Sequence, residues 1–372
     1  MPRRDSLARP TTNRHSLRSV TTQAPLSLRL IADRVAARLD DVLTPELERW
    51  AALDPDLRDP MTEIRRLVLS GGKRLRPAFC TWGHAAVGGD PEAQIVTDAG
   101  VAFELMHAFA LFHDDVMDDA ESRRGGPTAH ALWGRRHAES GWTGESRRFG
   151  EGVAILIGDL AFVYADQMLA DANRTAWRIW NELRIELNVG QLLDILGSVS
   201  GVRDVDQAER ICRYKSGKYT IERPLHLGAA LADPDRFETI APVLSAYGLP
   251  LGDAFQMRDD VMGAFGDSAT TGKPVGGDLR EGKPTPLLAR ALAAASASQA
   301  EVLAKVGRAD LSDVDVADIQ QAIVDTGALA DLEATIGRLT DEATAAIGAA
   351  DIVDSARDEL IALAAFVSQR EV

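Results

Sequence analysis

Residues 101–119 read VAFELMHAFALFHDDVMDD, an apolar stretch that ends in two pairs of aspartates. Asp114 and Asp118 stand four positions apart, so an α-helix places both carboxylates on one face, roughly 6 Å from each other. Like charges at this spacing destabilise an isolated helix, and a hard divalent cation removes the repulsion. Mg²⁺ suits the position because it takes oxygen ligands and keeps waters and substrate phosphates in its shell. A solvated, acidic helix end is the alternative interpretation.

A second acidic cluster lies far along the chain. Residues 256–267 read QMRDDVMGAFGD, in which the adjacent Asp259 and Asp260 again follow an apolar helical pattern. Two such clusters on separate helices favour a binding function over mere surface charge. If the helices face each other, they form a carboxylate-lined cavity that can hold several Mg²⁺ ions around a polyphosphate.

Basic residues accompany both acidic clusters. Only six of the 41 basic residues are lysines, and five of the six fall in or next to short basic motifs. The motifs are GGKRLRP at 71–77, RRGGP at 123–127, KSGK at 215–218, and Lys273 and Lys283 after the second cluster. Cations and backbone amides that converge at a helix start favour phosphate. The GxxxxGK[ST] pattern of a P-loop is absent from the sequence.

Outside these motifs the pattern is helical. Ala, Leu, Glu and Arg dominate long segments with an apolar period near 3.6 residues, and no run of alternating β-branched residues indicates a sheet. We therefore expect an all-α protein. Residues 1–25, rich in Arg, Ser, Thr and Pro, are expected to form a disordered tail, with an organellar transit peptide as the alternative. Residues 138–150 are expected to be a loop insertion.

Composition narrows the functional class. The formal net charge of −15 argues against nucleic acid or an anionic membrane surface as the partner. No stretch approaches 18 uncharged apolar residues, so we expect no transmembrane segment. Cys80 and Cys212 are the only cysteines in the sequence and lie outside any CxxC or CxxH pattern. A disulfide framework and a structural zinc site are therefore not expected, and a reducing, cytoplasmic location fits.

Taken in order, the motifs resemble those of the trans-isoprenyl diphosphate synthases, the polyprenyl synthetase family that includes geranylgeranyl and farnesyl diphosphate synthases. The resemblance covers about residues 30–345 and is carried by GGKRLRP, DDVMD with RRG, KS, and FQMRDD with GK. It implies one all-α domain over 26–372, with the isoprenoid synthase fold around a deep central cavity, paired as a homodimer. It also implies Mg²⁺-dependent head-to-tail condensation of isopentenyl diphosphate with an allylic diphosphate.

The resemblance also implies roles for individual residues. Three Mg²⁺ ions per active site would be bound by the carboxylates of Asp114, Asp115, Asp118, Asp259 and Asp260. The allylic diphosphate would be held by Arg123, Lys215 and Lys273. The diphosphate of isopentenyl diphosphate would be held by Lys73, Arg76, His107 and Arg124. Gln256 would support substrate binding, and the Ser216 hydroxyl would face the developing carbocation, where the family more often has Thr. The expected catalytic set is Asp114, Asp118, Lys215, Ser216, Asp259 and Lys273.

Two positions fit the family pattern less well. Gly263 stands where many members have the last aspartate of a second DDxxD, which weakens the metal assignment at that end. Lys218 receives no role from the resemblance. His113 is expected to pack rather than bind metal, since a helix points it about 100° away from Asp114.

Three other functions are compatible with Asp-rich helices. A class I terpene cyclase uses such a motif with Mg²⁺, but it has no need of a second diphosphate site made by Lys73, Arg76 and His107. A head-to-head synthase of the squalene or phytoene type leaves the GGKR element unexplained. A non-catalytic regulatory subunit could lose its Asp-rich motifs, whereas this chain keeps both.

The product chain is expected to run along the apolar helix that precedes Asp114. Phe109 lies five positions before that residue, roughly 7.5 Å along the helix axis, with Ala110 beside it and Met106 deeper still. Bulk at position 109 acts as a floor. A large residue there next to a small one resembles family members that make geranylgeranyl diphosphate (C20), which is the product we expect. Farnesyl diphosphate (C15) is the alternative.

Phe109→Ala should lengthen the product to C25 and beyond, because the ring that blocks the growing chain is removed. Mass spectrometry of the products made from isopentenyl diphosphate and an allylic primer measures the change. An unchanged product spectrum in an active, folded variant would place the floor elsewhere.

Overall fold

A computed structural model describes residues 24–200, 204–266, 275–308 and 310–369. Within these ranges the chain is helical apart from short connections and one two-stranded hairpin, which confirms the expected all-α fold. The helices are α1 (Leu26–Leu53), α2 (Arg58–Leu69), α3 (Leu75–Ala86), α4 (Gln94–Met117), α5 (Ala129–Glu139), α6 (Ser146–Gln167), α7 (Arg174–Ser200), α8 (Val205–Cys212), α9 (Arg223–Ala232), α10 (Phe237–Phe265), α11 (Gly277–Glu281), α12 (Pro286–Ala294), α13 (Ala297–Leu303), α14 (Asp313–Asp325), α15 (Ala328–Gly348) and α16 (Asp354–Ser368). Three further elements are a 3₁₀ turn (Pro55–Leu57), a π-helix (Arg213–Glu222) and the antiparallel strands β1 (Ser122–Arg123) and β2 (Gly126–Pro127).

The predicted loop over 138–150 is too long at both ends. Only 140–145 connect α5 to α6, and within that connection Gly141 and Gly144 have positive φ values of 64° and 107°. The polar residues that follow belong to α6. Gly150 lies against the α5 backbone, where any side chain would collide with the His130 carbonyl oxygen. This close helix crossing, rather than apolar periodicity, fixes the start of α6.

Helix α4 lies at the centre of the main hydrophobic core. It contacts α1, α2, α3, α5, α6 and α9. By length and composition α4 could cross a membrane, but 67% of its most apolar window is buried inside the protein, as in a core helix. Fully buried Phe103 packs edge-on against Trp180 of α7, with the ring centroids 5.4 Å apart. Packing on all sides therefore fixes the end of α4, where Asp114 and Asp118 stand.

Backbone contacts between glycines and neighbouring helices set several helix crossings. On α9, Gly228 lies so close to α3 that an added Cβ would collide with the Cys80 carbonyl oxygen. On α3, Gly83 approaches the Leu225 backbone in the same way. The two helices thus meet through two glycine positions. This packing holds α3, and the GGKRLRP turn before it, against the rest of the core.

Gly228→Ala should destabilise the protein, because the new methyl group has no space and the helices must separate. Overpacking of this kind costs about 1–3 kcal/mol, sometimes more. Gly337→Ala on α15 is the matched control, since an added Cβ there meets nothing within 4 Å. The control should raise stability by about 0.4–1 kcal/mol. Denaturant unfolding measures both changes, and equal effects would contradict the packing argument.

Candidate active site

The first acidic cluster ends α4. Asp114 lies in the last turn, and Asp118 follows as the C-cap residue, its amide donating to the Asp114 carbonyl oxygen at 2.8 Å. Desolvation and the negative charge of Asp114 raise the pKa of the Asp118 carboxyl, against the pull of Lys283 and Lys215. The predicted like-charge repulsion at this helix end is therefore present in the fold.

Asp115 has a different environment from its neighbours. It is buried, and its Oδ1 accepts from Arg123 Nε at 2.6 Å. Burial raises the pKa of Asp115, while Arg123 opposes the shift. The pair ties the β1–β2 hairpin to the end of α4. The expected roles of Asp115 as a metal ligand and of Arg123 as a diphosphate ligand stay sequence predictions.

Lys215 and Ser216 lie on the π-helix, a rare conformation that is frequent at functional sites. Glycines allow this segment to pack closely on both sides. An added side chain at Gly190 of α7 would collide with the Lys215 backbone, and Gly217 faces Gly252 of α10. The segment from Val205 to Ala232 is thus three successive elements, α8, the π-helix and α9, and its middle part presents the two predicted catalytic side chains.

The Lys215 ammonium group is held between two helices. Its Nζ lies 2.5 Å from Asp194 Oδ2 and 4.0 Å from Asp114 Oδ2. Burial disfavours the charged form, but Asp114 and Asp194 outweigh it and raise the pKa of Lys215. The lysine therefore stays charged beside the first acidic cluster, as a diphosphate ligand must.

Lys218 points to a network on the other side of the π-helix. Its Nζ donates to Glu186 and lies 3.7 Å from Glu222 Oε2. Arg223 donates to the same Glu186 through Nε and Nη2, at 2.6 and 2.7 Å. Although burial opposes it, these two cations lower the pKa of Glu186. Lys218, for which the sequence supplied no role, thus anchors the π-helix to α7.

The second acidic cluster is more deeply buried than the first. Asp260 is 3% exposed; its Oδ1 accepts from Gln256 Nε2 at 2.9 Å, and its Oδ2 has no hydrogen-bond partner among the described residues. Burial, with the charges of Asp278 and Asp259, raises the pKa of Asp260 well above its ordinary value. An unpartnered buried carboxylate oxygen beside further carboxylates favours a cation.

Lys283 connects the two acidic clusters. Its Nζ lies 2.8 Å from Glu281 Oε2 and 3.6 Å from Asp278 Oδ1. Its charge also acts on Asp118 of the first cluster and on Asp260 of the second. Although burial opposes it, the surrounding carboxylates raise the pKa of Lys283. Both clusters therefore face one region, as the sequence analysis expects.

Asp278 is a site residue that the sequence reasoning missed. It lies on α11, and an added Cβ at Gly263 would collide with its carboxylate. The glycine that departs from the DDxxD pattern thus leaves room for a carboxylate from another helix. The absence of an acidic residue at position 263 could have suggested that a carboxylate from elsewhere replaces it. The sequence alone does not show that this residue is Asp278.

A cationic pocket surrounds the start of α3. It is lined by Lys73, Arg76, His107, Arg124, Ser216, Gln256 and Asp259, among others. Gly71 and Gly72 adopt positive φ values of 98° and 142°, which shapes the turn that carries Lys73 into the pocket. Arg74 is an exception within the motif, because it is buried and bound to Glu104.

The cations of this pocket act on one another. Burial and the neighbouring arginines lower the pKa of Arg124, whose Nη1 donates to the Gly71 carbonyl oxygen at 2.7 Å. Burial, together with Arg76 and Arg124, also lowers the pKa of His107 well below its ordinary range, so its imidazole is neutral at pH 7. Mutual repulsion among fixed cations favours a bound anion.

A second cavity adjoins the cationic pocket, and we call it the apolar cavity for the Phe109, Ala110, Leu111 and Leu187 side chains that line it below Asp114 and Lys215. Arg76, His107 and Ser216 line both spaces. Phe109 and Ala110 line the apolar part, as predicted. Met106 is fully buried and is not among the lining residues.

Residues from α7 and the π-helix complete the apolar cavity. Leu187, Asn188 and Gln191 of α7 line it together with Tyr219, whose ring lies 4.3 Å from the Arg76 guanidinium. Lys273 lies outside the described residues, so its predicted role stays a sequence prediction. His113 packs as expected: its Nε2 lies 3.1 Å from the Ile155 carbonyl oxygen and its ring 4.6 Å from that of Phe109.

The carboxylates fit a metal that substrate helps to bind. Among the residues that the structure describes, no three His, Cys, Asp or Glu side chains form a complete metal site. Mg²⁺ commonly takes one or two carboxylates and completes its shell with waters and substrate phosphates. Half-buried Asp114 and Asp259, with the unpartnered oxygen of Asp260, meet that requirement.

An all-α fold with facing acidic clusters, a cationic pocket and an adjoining apolar cavity defines an enzyme that handles isoprenoid diphosphates. The polyprenyl synthetase family model matches residues 60–325, and the chain belongs to that family. It is a prenyltransferase, a trans-prenyl diphosphate synthase. A geranylfarnesyl diphosphate synthase of Aeropyrum pernix is 33% identical over 80% of this chain and 89% of its own length.

Other relatives carry other product names. A (2E,6E)-farnesyl diphosphate synthase of Mycobacterium bovis is 33% identical over 66% of each chain. The crystal structure of a geranylgeranyl pyrophosphate synthase from Corynebacterium glutamicum, complexed with isoprenyl diphosphate and magnesium, is 36% identical. It aligns with a TM-score of 0.84 over 94% of this chain and 100% of that one.

Lys218→Met should lower the free energy of unfolding by roughly 1.5–3 kcal/mol, the contribution of a hydrogen bond to a charged group. It should also reduce turnover, because the π-helix that presents Lys215 loses an anchor. Lys305→Met is the matched control, since the Lys305–Asp315 pair at 2.6 Å is on the surface, where solvent screens an ion pair and little stability is lost with it. Denaturant titration and steady-state kinetics test both variants, and equal losses would refute the anchoring role.

Proposed function

We propose that this enzyme makes mainly geranylgeranyl diphosphate, by condensing isopentenyl diphosphate with allylic diphosphates. The observation that carries the proposal is the apolar cavity, which leads from Asp114 to the Phe109 ring. The names of the relatives span farnesyl, geranylgeranyl and geranylfarnesyl products, so they do not decide the product chain length of this enzyme. The C20 proposal therefore depends on this cavity. Farnesyl diphosphate is the competing product, expected if Phe109 stops the chain one isoprene unit earlier.

The two diphosphates would bind at separate groups of cations. Lys73, Arg76 and Arg124 surround the cationic pocket and suit the diphosphate of isopentenyl diphosphate. Lys215, held beside Asp114, suits the allylic diphosphate, with Lys273 completing that site. Neutral His107 lines both spaces, and it can donate a hydrogen bond without adding to the cationic repulsion.

Asp114, Asp115, Asp118, Asp259 and Asp260 would hold three Mg²⁺ ions, which would supply positive charge to stabilise the leaving diphosphate. Lys215 shares that work from the π-helix, close to the allylic C–O bond that ionises. The Ser216 hydroxyl, which lines both cavities, would face the carbocation. The double bond of isopentenyl diphosphate attacks this cation, and loss of a proton to the departing diphosphate gives a product five carbons longer.

Exclusion of water protects the carbocation, which would otherwise be quenched as an alcohol. Phe109, Ala110, Leu111 and Leu187 present apolar surface to the cavity below the aspartates. The reaction needs no side-chain nucleophile, because the attacking double bond belongs to isopentenyl diphosphate. The residues of this chain bind, orient and desolvate the two substrates.

Asp114→Ala and Asp259→Ala should each lower kcat by at least roughly 10²–10³-fold, by analogy with the loss of one transition-state charge stabiliser. Folding should persist, because both side chains lie at cavities rather than in the apolar core. Asp341→Ala, at an exposed position of α15, is the matched control. Turnover of isopentenyl diphosphate with an allylic primer is the measurement. Control-like turnover in both active-site variants would mean that the aspartates are only surface charge.

We also propose a homodimer in the cytoplasm, where Cys80 and Cys212 stay unpaired. Exposed apolar side chains follow helical stripes along α6 and α7. The residues are Ile155, Leu156, Leu160, Val163, Ile185, Val189, Leu192, Ile195 and Leu196. Exposed apolar side chains in this number on two helices favour a protein interface. Two neighbouring helix stripes suit a twofold axis, across which a second copy presents the same surface.

Leu156→Asp combined with Leu192→Asp should convert the dimer to a monomer, because each copy would bury two charges at the interface. These two side chains are 63% and 56% exposed in one chain. Val314→Asp is the matched control, since that residue is 70% exposed but lies on α14, away from the stripes. Light scattering after gel filtration gives the mass. A mutant that stays dimeric would rule out this surface.

A further inference from the structure

The two arginines of the GGKRLRP motif are held in different ways. Arg74 is buried, and its guanidinium group is bound to the Glu104 carboxylate. Arg76 lines both the cationic pocket and the apolar cavity, and it forms no ion pair or hydrogen bond within the part of the chain that the structure describes. A carboxylate compensates the charge of an arginine and occupies its donors. Arg76 therefore keeps its charge and its donors for a bound anion.

An aromatic ring holds Arg76 instead of a carboxylate. The guanidinium carbon lies over the Tyr219 ring, 4.3 Å from its centroid. Tyr219 belongs to the π-helix, is 3% exposed and lines the apolar cavity. The face of an aromatic ring attracts a cation, and the attraction is stronger where water is excluded. This contact can orient a guanidinium group without using its N–H donors.

The other neighbours of Arg76 repel it. Its charge contributes to the lowered pKa of His107 and of Arg124, and Lys73 lines the same pocket. Like charges in one pocket push a long side chain outward. Burial raises the pKa of Tyr219, so the phenol is neutral and does not compensate the arginine. The Tyr219 hydroxyl has no hydrogen-bond partner among the described residues, so the ring makes the specific contact.

We propose that Tyr219 is a positioning residue for isopentenyl diphosphate, which acts by holding the Arg76 guanidinium group in place for the diphosphate. The proposal rests on the synthase function proposed above, in which Arg76 binds that diphosphate. Tyr219 and Lys215 lie on one π-helix. The element that presents a ligand of the allylic diphosphate therefore also orients a ligand of the second substrate.

Binding of isopentenyl diphosphate alone tests this role, because no condensation occurs without an allylic primer. Calorimetric titration of the full-length protein gives the Kd, and steady-state kinetics give the KM of each substrate. The variants are Tyr219→Leu, Tyr219→Phe, Arg76→Met and the combination of Arg76→Met with Tyr219→Leu. Trp50→Leu is the matched control, since Arg49 lies over the Trp50 ring at the same 4.3 Å but Trp50 is on α1 and lines neither cavity.

Tyr219→Leu should raise the Kd and the KM of isopentenyl diphosphate roughly 10-fold, as expected for the loss of one desolvated contact of this kind. The KM of the allylic diphosphate should not change. Tyr219→Phe should restore wild-type affinity, because it keeps the ring, and the Trp50 control should bind like the wild type. When Arg76→Met is already present, Tyr219→Leu should weaken binding no further, because its effect passes through that arginine.

The proposal is overturned if Tyr219→Leu binds isopentenyl diphosphate like the wild type or raises the KM of both substrates equally. It is also overturned if Tyr219→Phe or Trp50→Leu is as defective as Tyr219→Leu, or if the double variant binds more weakly than Arg76→Met. Should Tyr219→Leu fail to fold, Tyr219→Met makes the same comparison with a smaller loss of volume. A wild-type enzyme that elongates no allylic primer would refute the synthase function, whereas the titration would still test Tyr219.

Discussion

Unbalanced like charge is the constraint on which the rest of this structure depends. The fold directs Asp114, Asp118, Asp259 and Asp260 at one region, and it places a group of arginines and a lysine in the pocket that Asp259 also lines. Neither arrangement is favourable by itself, since buried charge costs free energy unless it is compensated. Rigid helices that share one core hold the groups in place. The substrate and its cations then supply the charge that the protein lacks.

The parts that sequence reasoning predicted depend on local periodicity. Asp114 and Asp118 share a helix face because they are four residues apart, whatever the tertiary structure. The apolar helical pattern that precedes Asp259 lies on α10, since a long segment of this kind leaves few alternatives. The resemblance to the family assigned residues of GGKRLRP and of the second acidic cluster to one active site. The structure brings both to one pocket.

The parts that were missed depend on contacts distant in sequence. The π-helix replaces ordinary helix where Gly190 and Gly252 admit close backbone packing, and no local pattern signals that conformation. Asp115 binds Arg123 across a hairpin that was not predicted. Asp278 fills the space above Gly263 from a separate helix. In each case the structural role of a small or charged residue is set by a contact with a residue on another element.

The cationic pocket has a consequence for how substrate arrives. The whole chain carries a formal charge of −15, so an anionic substrate is repelled at long range and attracted only near the pocket. At 0.1 M ionic strength the Debye length is about 10 Å, which screens the distant repulsion more than the contacts made at close range. Added salt therefore has two opposed effects, faster approach and weaker final contact. The ionic strength of the surrounding solution thus takes part in setting how quickly this enzyme captures its substrates.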